Sequence, residues 1–350
     1  MRITSVVLAL SALLASSAHA PQTAATAVAE HGWKAAPPVE LFAVERVIDG
    51  DTIYIQRGGQ VDKLRLLSVD TEEKAATQLG DPTKPSTAFG EDCAQWAVQF
   101  FAQLAEPGQP AKIGVLFPGG HEDRDSYGRL LCHVILPDGR NYNLLLVELG
   151  KSPYFNKYGN DSLCHGAFLA AQRAAREKEL GIWNPKTNEA KTPGAPSAKR
   201  PYDRLVPWWD ARAAAVDGYR ERVAQDPAHV ANAELPRELE RALETSLKGE
   251  KVEVFGLIEK LFDEKDGSLT VLMRSGVKDG AVRAKIDARD RERFAALDLA
   301  HRGDDFRQNY VWVQGLLERG PRGFDLRCAD PTALRTAGPE PQPAPEPRGN

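Results

Sequence analysis

The sequence contains 350 residues and carries a net charge of −4. Hydrophobic residues make up 42% of it and it has six Trp, which excludes a disordered chain and favours two or three packed domains. Basic and acidic residues nearly balance in both halves, which excludes a broad cationic surface, so a polyanion would be held by a few placed cations or a metal.

Residues 1–20 have the pattern of a secretory signal peptide. Arg2 precedes the apolar run Val6–Ala15, and small residues follow it. The run is shorter than the ~20 residues that span a bilayer. Cleavage after Ala18 and cleavage after Ala20 both stay open. The mature protein is therefore predicted to be secreted or periplasmic, with a loose Ala/Pro-rich leader over residues 21–40.

The stretch Val47–Ile55, "VIDGDTIYI", predicts a β-hairpin. β-forming residues flank Asp49-Gly50, a typical hairpin turn, and Asp51 then opens the second strand. A lone Asp-Gly is most often only a polar turn, so the function of Asp51 depends on the rest of the chain.

Two later segments also place charged residues at strand ends. Leu64–Glu73, "LRLLSVDTEE", is an alternating strand that ends in an acidic cluster, and Asp123–Leu136 is an acidic loop that leads into a strand. Together the three segments supply two Arg, two Asp and a Glu. Carboxylates bind a hard divalent cation, a further carboxylate activates water, and guanidinium groups neutralise a phosphoryl transition state. The pattern favours phosphodiester hydrolysis.

The stretch Leu41–Pro185, about two-fifths of the chain, resembles the staphylococcal nuclease (thermonuclease) family. Four blocks carry the resemblance in order: "VIDGDT", "LRLLSVDTEE", "SYGR" and "AQRAAREKELGIW". Between them, "AFGEDCAQWAVQFF" and "NLLLVELG" resemble the first two helices of the family. The resemblance implies a β-rich α+β fold, an OB-like five-stranded barrel with three helices.

The resemblance also implies roles for individual residues. The metal ligands would be Asp51, Asp70 and the carbonyl of Thr71; the catalytic residues would be Arg65, Glu73 and Arg129; Tyr127 would contact a substrate phosphate. The implied cofactor is Ca²⁺, and the implied reaction cleaves DNA and RNA to leave 3′-phosphate ends. The family's usual Pro before the base is Glu72 here, and its usual Lys before the tyrosine is Ser126.

Several residues allow two interpretations. Tyr154 and Tyr158 in "SPYFNKYG" would either stack on a substrate base or simply pack. The two catalytic arginines would also form ion pairs with Glu73 in a resting site. The four cysteines would either form disulfides, with three possible full connectivities, or remain buried thiols. No C-x-x-C motif is present and the His are scattered, which argues against a zinc site. The cysteines are Cys93, Cys132, Cys164 and Cys328.

The second half begins with a predicted linker over residues 186–200 and a helical connector over 201–248. Five strand-like runs with a short helix between the third and fourth then predict a second OB-like domain over residues 249–332. It would contact nucleic acid or protein, or serve only as structure. Tyr310 and Trp312 on one strand would stack on bases or, as we favour, belong to the core. Residues 333–350 are predicted to be a disordered Pro-rich tail.

The leading hypothesis is an exported calcium-dependent nuclease, a hydrolase acting on DNA and RNA. The alternative is a catalytically silent nucleic-acid or protein binding module of the cell envelope, and a third possibility is a scaffold in which the barrel only packs. The complete set of charged residues argues against a silent module.

Overall fold

A computed structural model describes residues 39–74, 84–125, 127–189, 198–277, 280–302 and 306–341. The predicted signal peptide and nearly all of the predicted leader lie outside these ranges. Among the residues described, no helix combines the length and apolarity needed to cross a bilayer.

The first half forms a closed five-stranded barrel in which the strands pair in the order β1-β2-β3-β5-β4 and β4 returns to β1. The strands are β1 (Leu41–Asp49), β2 (Thr52–Arg57), β3 (Gln60–Leu66), β4 (Lys112–Leu116) and β5 (Leu130–Ile135). All pairs are antiparallel except β3 with β5, which is parallel and therefore needs a long crossover. The predicted hairpin at Val47–Ile55 is confirmed as β1 and β2, and the predicted OB-like barrel is present.

Three helices cover this barrel: α1 (Ala88–Leu104), α2 (Tyr142–Glu148) and α3 (His165–Glu177). The Thr87 hydroxyl caps α1 by accepting the Gly90 N–H at 2.9 Å, and Asn141 caps α2 in the same way. The barrel core contains alternate residues of the strands, such as Ile53 and Ile55 of β2, together with apolar residues from the three helices.

A connector of two helices follows: α4 (Tyr202–Gln225) and α5 (Pro236–Ser246), with the short strand β6 (Val230–Asn232) between them. Two helices agree with the predicted helical connector, and α5 begins at a proline as the N1 preference of that residue favours. The strand β6 was not predicted from the sequence. It pairs in parallel with the next strand and so joins the connector to the second sheet.

The second sheet repeats part of the pairing order of the first barrel, but its strands form an open path. Its strands are β7 (Val252–Asp263), β8 (Leu269–Met273), β9 (Ala281–Ile286), β10 (Tyr310–Gly315), β11 (Leu317–Gly320), β12 (Gly323–Arg327) and β13 (Leu334–Thr336). β7, β8 and β9 are antiparallel neighbours, β9 pairs in parallel with β12, and β10 pairs back onto β7. A 3₁₀ helix, Ala288–Leu297, replaces the short helix expected between β9 and β10. This order supports the predicted OB-like organisation of the second domain.

Tyr310 and Trp312 are buried in an aromatic cluster with Phe255 and Tyr219, so the core alternative is correct for them. The prediction of a disordered tail from residue 333 is wrong for its first residues. β13 pairs with β10, and Ala337 is fully buried, because a short strand extends the sheet before the Pro-rich segment begins. Residues 342–350 lie outside the described residues.

An apolar cluster joins the two halves. Tyr202, Leu205 and Trp209 of α4 pack against Phe155 and Trp183. The last two belong to the nuclease-like half, residues 41–185. Phe155 and Trp209 meet edge to face with their ring centroids 4.9 Å apart. This contact places the connector beside the barrel face that carries the predicted site residues.

All four cysteines are buried free thiols, which decides between the two alternatives left open by the sequence. Burial raises the pKa of Cys93 to about 12, so this thiol stays protonated at neutral pH.

Candidate active site

The turn between β1 and β2 places Asp51 at the start of a strand that faces the site. Its N–H donates to Asp49 Oδ1 at 3.1 Å, and its buried carboxylate accepts the Thr71 N–H at 2.9 Å. Gly50 is required here by close approach, since a Cβ on it would lie 2.5 Å from Thr71 Cγ2. Burial first, and the charge of Asp51 second, raise the pKa of Asp49 to about 7.

Arg65 on β3 joins the two predicted metal-ligand carboxylates. Its Nη1 lies 2.5 Å from Asp51 Oδ1, and its Nη2 lies 2.7 Å from Asp70 Oδ1. The sheet register explains this position, because Arg65 is the direct cross-strand partner of Thr52, the residue after Asp51. Burial would lower the pKa of this guanidinium, but the two carboxylates outweigh burial and raise it, so the group stays charged.

Asp70 is 1% exposed and is held by three cations. Besides Arg65, Lys84 Nζ lies 2.7 Å from Asp70 Oδ1, and Arg200 pairs with Asp70 Oδ2. Arg200 Nη1 also donates to the Asp70 carbonyl at 3.2 Å. Burial alone would raise the pKa of Asp70, but the charges of Arg200, Lys84 and Arg65 together hold it well below its usual range.

Arg200 reaches the site from the second half of the chain, at the end of the segment predicted to be a linker. It is 7% exposed, and its guanidinium lies 5.5 Å from the Tyr202 ring centroid and 5.4 Å from that of Trp209. The linker prediction is therefore wrong for this residue. The polar, Pro-rich composition of the segment predicted an exposed linker. The rings of Tyr202 and Trp209, which follow in the chain, instead bury the Arg200 side chain.

Glu73 has the environment expected of a general base. It is half-buried, and burial raises the pKa of its carboxyl group, with the negative charges of Asp51 and Asp70 acting in the same direction. Its backbone carbonyl accepts the Thr87 N–H at 2.9 Å, which fixes the loop to the start of α1. Among the described residues no ion pair involves Glu73. The ion pairs expected between Glu73 and the two arginines are not formed, because Arg65 pairs with Asp51 and Asp70 and Arg129 pairs with Asp125.

Glu72, the departure from the family pattern, strengthens this loop. Its buried carboxylate accepts the Thr87 hydroxyl at 2.5 Å, the Asn188 amide at 2.7 Å and the Tyr202 hydroxyl at 3.2 Å. Three donors from separate elements compensate the cost of burying this charge. The last of them again comes from the second half of the chain.

Arg129 lines the same cavity as Arg65 but forms no ion pair with the two predicted metal-ligand carboxylates. Its Nε donates to Asp125 Oδ2 at 2.7 Å, and its Cζ lies 5.5 Å from the centroid of the Tyr127 ring. Tyr127 is 83% exposed at the cavity mouth, where a substrate phosphate can reach it.

The two tyrosines of "SPYFNKYG" have different environments: Tyr158 is exposed and Tyr154 is buried. Tyr158 is 63% exposed and lines the cavity, as a base-stacking residue must. The prediction of substrate binding is wrong for Tyr154, which is 1% exposed and packs parallel to Phe168 at 4.9 Å. Its hydroxyl is used internally and accepts the Asp161 N–H at 2.8 Å.

The oxygen donors suit a hard divalent cation. The carboxylates of Asp51 and Asp70 converge on one positive charge, the Arg65 guanidinium, and the Thr71 backbone is tied to Asp51 beside them. Sequence reasoning missed Lys84 and Arg200, which compete with a cation for Asp70. Lys84 is one lysine in a polar loop, and nothing in its local sequence distinguishes it.

Of the described side chains, one group of three possible metal ligands lies within 4.8 Å: His133, Asp161 and Cys164. Internal hydrogen bonds account for this group. His133 Nε2 lies 2.8 Å from Asp161 Oδ2, Asn141 Nδ2 lies 2.8 Å from His133 Nδ1, and the Cys164 thiol donates to Asp161 Oδ1 at 3.3 Å. His133 is therefore a hydrogen-bonded core residue.

Residues 63–185 match the family described as "Staphylococcal nuclease homologue". The chain is 36% identical over 143 residues to Endonuclease YhcR of Bacillus subtilis, a match that covers 40% of this chain but only 11% of that much longer protein. It is 27% identical over 141 residues to an uncharacterized endonuclease of Escherichia coli O157:H7, covering 40% of this chain and 75% of the relative.

The Thermonuclease of Staphylococcus intermedius is 32% identical over 144 residues, covering 41% of this chain and 76% of the relative. The family match over residues 63–185 includes β4, β5, the three helices and the residues Arg65, Asp70, Glu73 and Arg129. This chain therefore belongs to the staphylococcal nuclease family.

Proposed function

We propose that this protein is an exported, calcium-dependent nuclease that hydrolyses phosphodiester bonds of DNA and RNA and leaves 3′-phosphate ends. The observation that carries the proposal is the buried arrangement of Asp51, Arg65 and Asp70 beside a half-buried Glu73. Arg65 also lines a cavity of about 590 Å³. The names endonuclease and thermonuclease among the relatives support the same activity.

Glu73 takes the proton of the attacking water in this proposal. Its raised pKa makes its carboxylate a stronger base than the carboxylate of an exposed glutamate. The hydrogen bond from Thr87 to the Glu73 carbonyl holds the backbone in place, which keeps the carboxylate oriented during the reaction.

Arg65 and Arg129 stabilise the extra negative charge that develops on the phosphoryl oxygens. Asp51 and Asp70 hold Arg65 in a fixed orientation, and Asp125 does the same for Arg129. Because both guanidinium groups are oriented before substrate arrives, little reorganisation is needed in the transition state.

Asp51, Asp70 and the Thr71 carbonyl would hold the Ca²⁺ ion, which when bound polarises the phosphoryl oxygen. Tyr127 and Tyr158, both exposed at the cavity, would contact the phosphate and a base of the substrate. Export is supported by the signal-peptide pattern of residues 1–20.

The alternative is a silent binding module that uses the same cavity to hold nucleic acid or protein without cutting it. The cation cluster around Asp70 is the observation that favours it, because Lys84 and Arg200 occupy oxygens that a metal would need. The intact Glu73, Arg65 and Arg129 favour catalysis over this alternative.

The test uses purified protein without residues 1–20, incubated with single-stranded DNA, duplex DNA or RNA in Ca²⁺, Mg²⁺ or EGTA. Cleavage in Ca²⁺ that EGTA abolishes would support the proposal, and end-labelling of the products would identify the 3′-phosphate. Binding without cleavage under every metal condition would favour the silent module.

A further inference from the structure

The cavity at the candidate site has walls from both halves of the chain. One wall carries Arg65, Lys84 and Arg129 of the nuclease-like half, and the opposite wall carries Trp208 and Arg220 of α4 together with residue 274 of the second sheet domain. No residue of the opposite wall belongs to the region that resembles the nuclease family.

The cavity is strongly basic although the chain is acidic. Seven Lys or Arg residues and two Asp line it, whereas the whole chain has 45 Lys and Arg against 49 Asp and Glu. A concentration of cations in one cleft of an acidic protein attracts a polyanion to that cleft and not to the remaining surface. The ligand of this cavity is therefore a polyanion that is longer than one phosphate.

Arg220 is built into the far wall. Its Nη1 donates to the Asn160 carbonyl at 2.9 Å and to Asp217 Oδ1 at 2.9 Å, which orients the guanidinium. The group lies directly over Gly159, where a Cβ would be 2.7 Å from Arg220 Nη2. Gly159 therefore provides the space for this guanidinium. The N–H groups of Arg220 that do not form these two hydrogen bonds are available to a phosphate.

Arg274 follows β8 and presents an exposed side chain to the cavity. Its backbone N–H donates to the Leu257 carbonyl at 2.8 Å, which anchors the residue to β7. No carboxylate of the described residues lies within ion-pair distance of its guanidinium. Lys157 and Tyr158 line the same cavity, with Lys157 Nζ 4.9 Å from the Trp208 ring centroid.

We propose that the wall formed by Trp208, Arg220 and Arg274 is an extended subsite for a single-stranded nucleic acid, which continues from the scissile phosphate onto the second domain. This inference rests on the proposed nuclease function. Arginines at intervals bind successive phosphates. The exposed Tyr158 and the half-buried Trp208, which line the same cavity, provide aromatic surface for unpaired bases.

The size of the cavity favours a single strand. A volume of about 590 Å³ equals that of a sphere roughly 10 Å across, whereas the major groove alone of B-DNA is ~12 Å wide. A B-DNA duplex is therefore too wide to enter this cavity. The second domain thus selects unpaired substrate by shape and holds it by charge.

The experiment compares Arg274→Glu with the control Arg289→Glu. Arg289 is an exposed arginine of the same domain, 80% exposed in its side chain, and does not line the cavity. Binding of a fluorescent 12-nucleotide single-stranded DNA is measured in EGTA, so that the result does not depend on turnover. We expect Arg274→Glu to weaken binding roughly tenfold or more and to reduce the salt slope by about 0.7, with the control unchanged.

A second measurement follows hydrolysis in Ca²⁺ of the 12-mer and of a chromogenic mononucleotide diester. The proposal predicts that Arg274→Glu raises KM for the 12-mer at least fivefold more than for the short substrate. Equal changes for both substrates, or wild-type binding of the 12-mer, would overturn the subsite. If neither the wild type nor either variant hydrolyses the short diester, the proposed nuclease function fails. The subsite still stands in that case if Arg274→Glu binds the 12-mer more weakly than the wild type and Arg289→Glu do.

Discussion

At the scale of single residues, Glu73 is the group whose surroundings best match a general base. We expect Glu73→Gln to lower kcat by roughly 10²–10⁴, because the amide keeps the shape of the side chain but cannot accept a proton. The kcat of the variant and of the wild type is measured from the hydrolysis of single-stranded DNA in Ca²⁺. Glu106→Gln, at an exposed glutamate, is the matched control. Near-normal turnover of Glu73→Gln would assign water activation to another group.

Arg200 gives a second prediction at this scale, concerning the metal. Its charge occupies Asp70 Oδ2 and the Asp70 carbonyl, so a cation entering the site must compete with it. We expect Arg200→Met, which preserves the length of the buried chain, to tighten Ca²⁺ binding roughly tenfold. Calorimetry without substrate measures this affinity.

Arg204→Met is the control for Arg200, since this exposed arginine lies four positions further along the chain, on α4, with its guanidinium 4.2 Å from the centroid of the Phe306 ring. Weaker Ca²⁺ binding in Arg200→Met would contradict competition. It would show instead that Arg200 holds Asp70 in the position that binds the metal.

At the scale of secondary-structure elements, Asp161 ties the start of α3 to the barrel. Its carboxylate accepts the Cys164 N–H at 2.9 Å and the Ser68 hydroxyl at 2.6 Å, and it lies beside the buried His133. Burial would raise the pKa of Asp161, but His133 and these hydrogen bonds outweigh burial and lower it.

A depressed folded pKa stabilises the protein above the unfolded pKa of about 3.9. This stabilisation is lost as the pH falls through the folded value. We expect Asp161→Asn to reduce the free energy of unfolding by about 2–3 kcal/mol at pH 7. The difference from wild type should begin to shrink below about pH 4, because Asp161 of the unfolded chain then takes up a proton while the folded protein keeps this carboxylate ionised.

Urea denaturation followed by Trp fluorescence between pH 7 and pH 3 measures this difference. Asp92→Asn, at an exposed position of α1, serves as the control and should change stability little at any pH. A destabilisation of Asp161→Asn that is independent of pH would indicate lost packing in place of a lost charge.

At the scale of the whole molecule, the second half supplies Arg200 and Tyr202 to the site and covers Phe155 and Trp183. A fragment ending at Lys186 keeps every residue proposed for catalysis. We expect it to hydrolyse the short diester, to melt at a lower temperature because this apolar surface becomes exposed, and to bind long single strands more weakly. A folded but inactive fragment would show that the second half completes the catalytic site.

Much of the candidate site was predictable from local sequence. Arg65 lies on β3, Asp51 lies in the turn directly before β2, and Asp70 follows the end of β3. The predicted hairpin and the strand after it therefore already placed these residues on or beside paired strands. The same approach failed for Tyr154, because local sequence does not distinguish a tyrosine whose ring faces a cleft from one that packs on Phe168.

The sequence alone determined the barrel and its helices, because strand alternation, turn residues and helix periodicity act over a few neighbouring positions. The catalytic roles proposed for individual residues came from the resemblance to the nuclease family. Only the tertiary structure decided that the thiols are free, that Arg200 contacts Asp70 across 130 positions, and that α4 forms a wall of the cavity. Such contacts depend on which buried surfaces meet after the elements form. A buried arginine is stable only where a distant carboxylate and aromatic rings surround it, and no local pattern records that meeting.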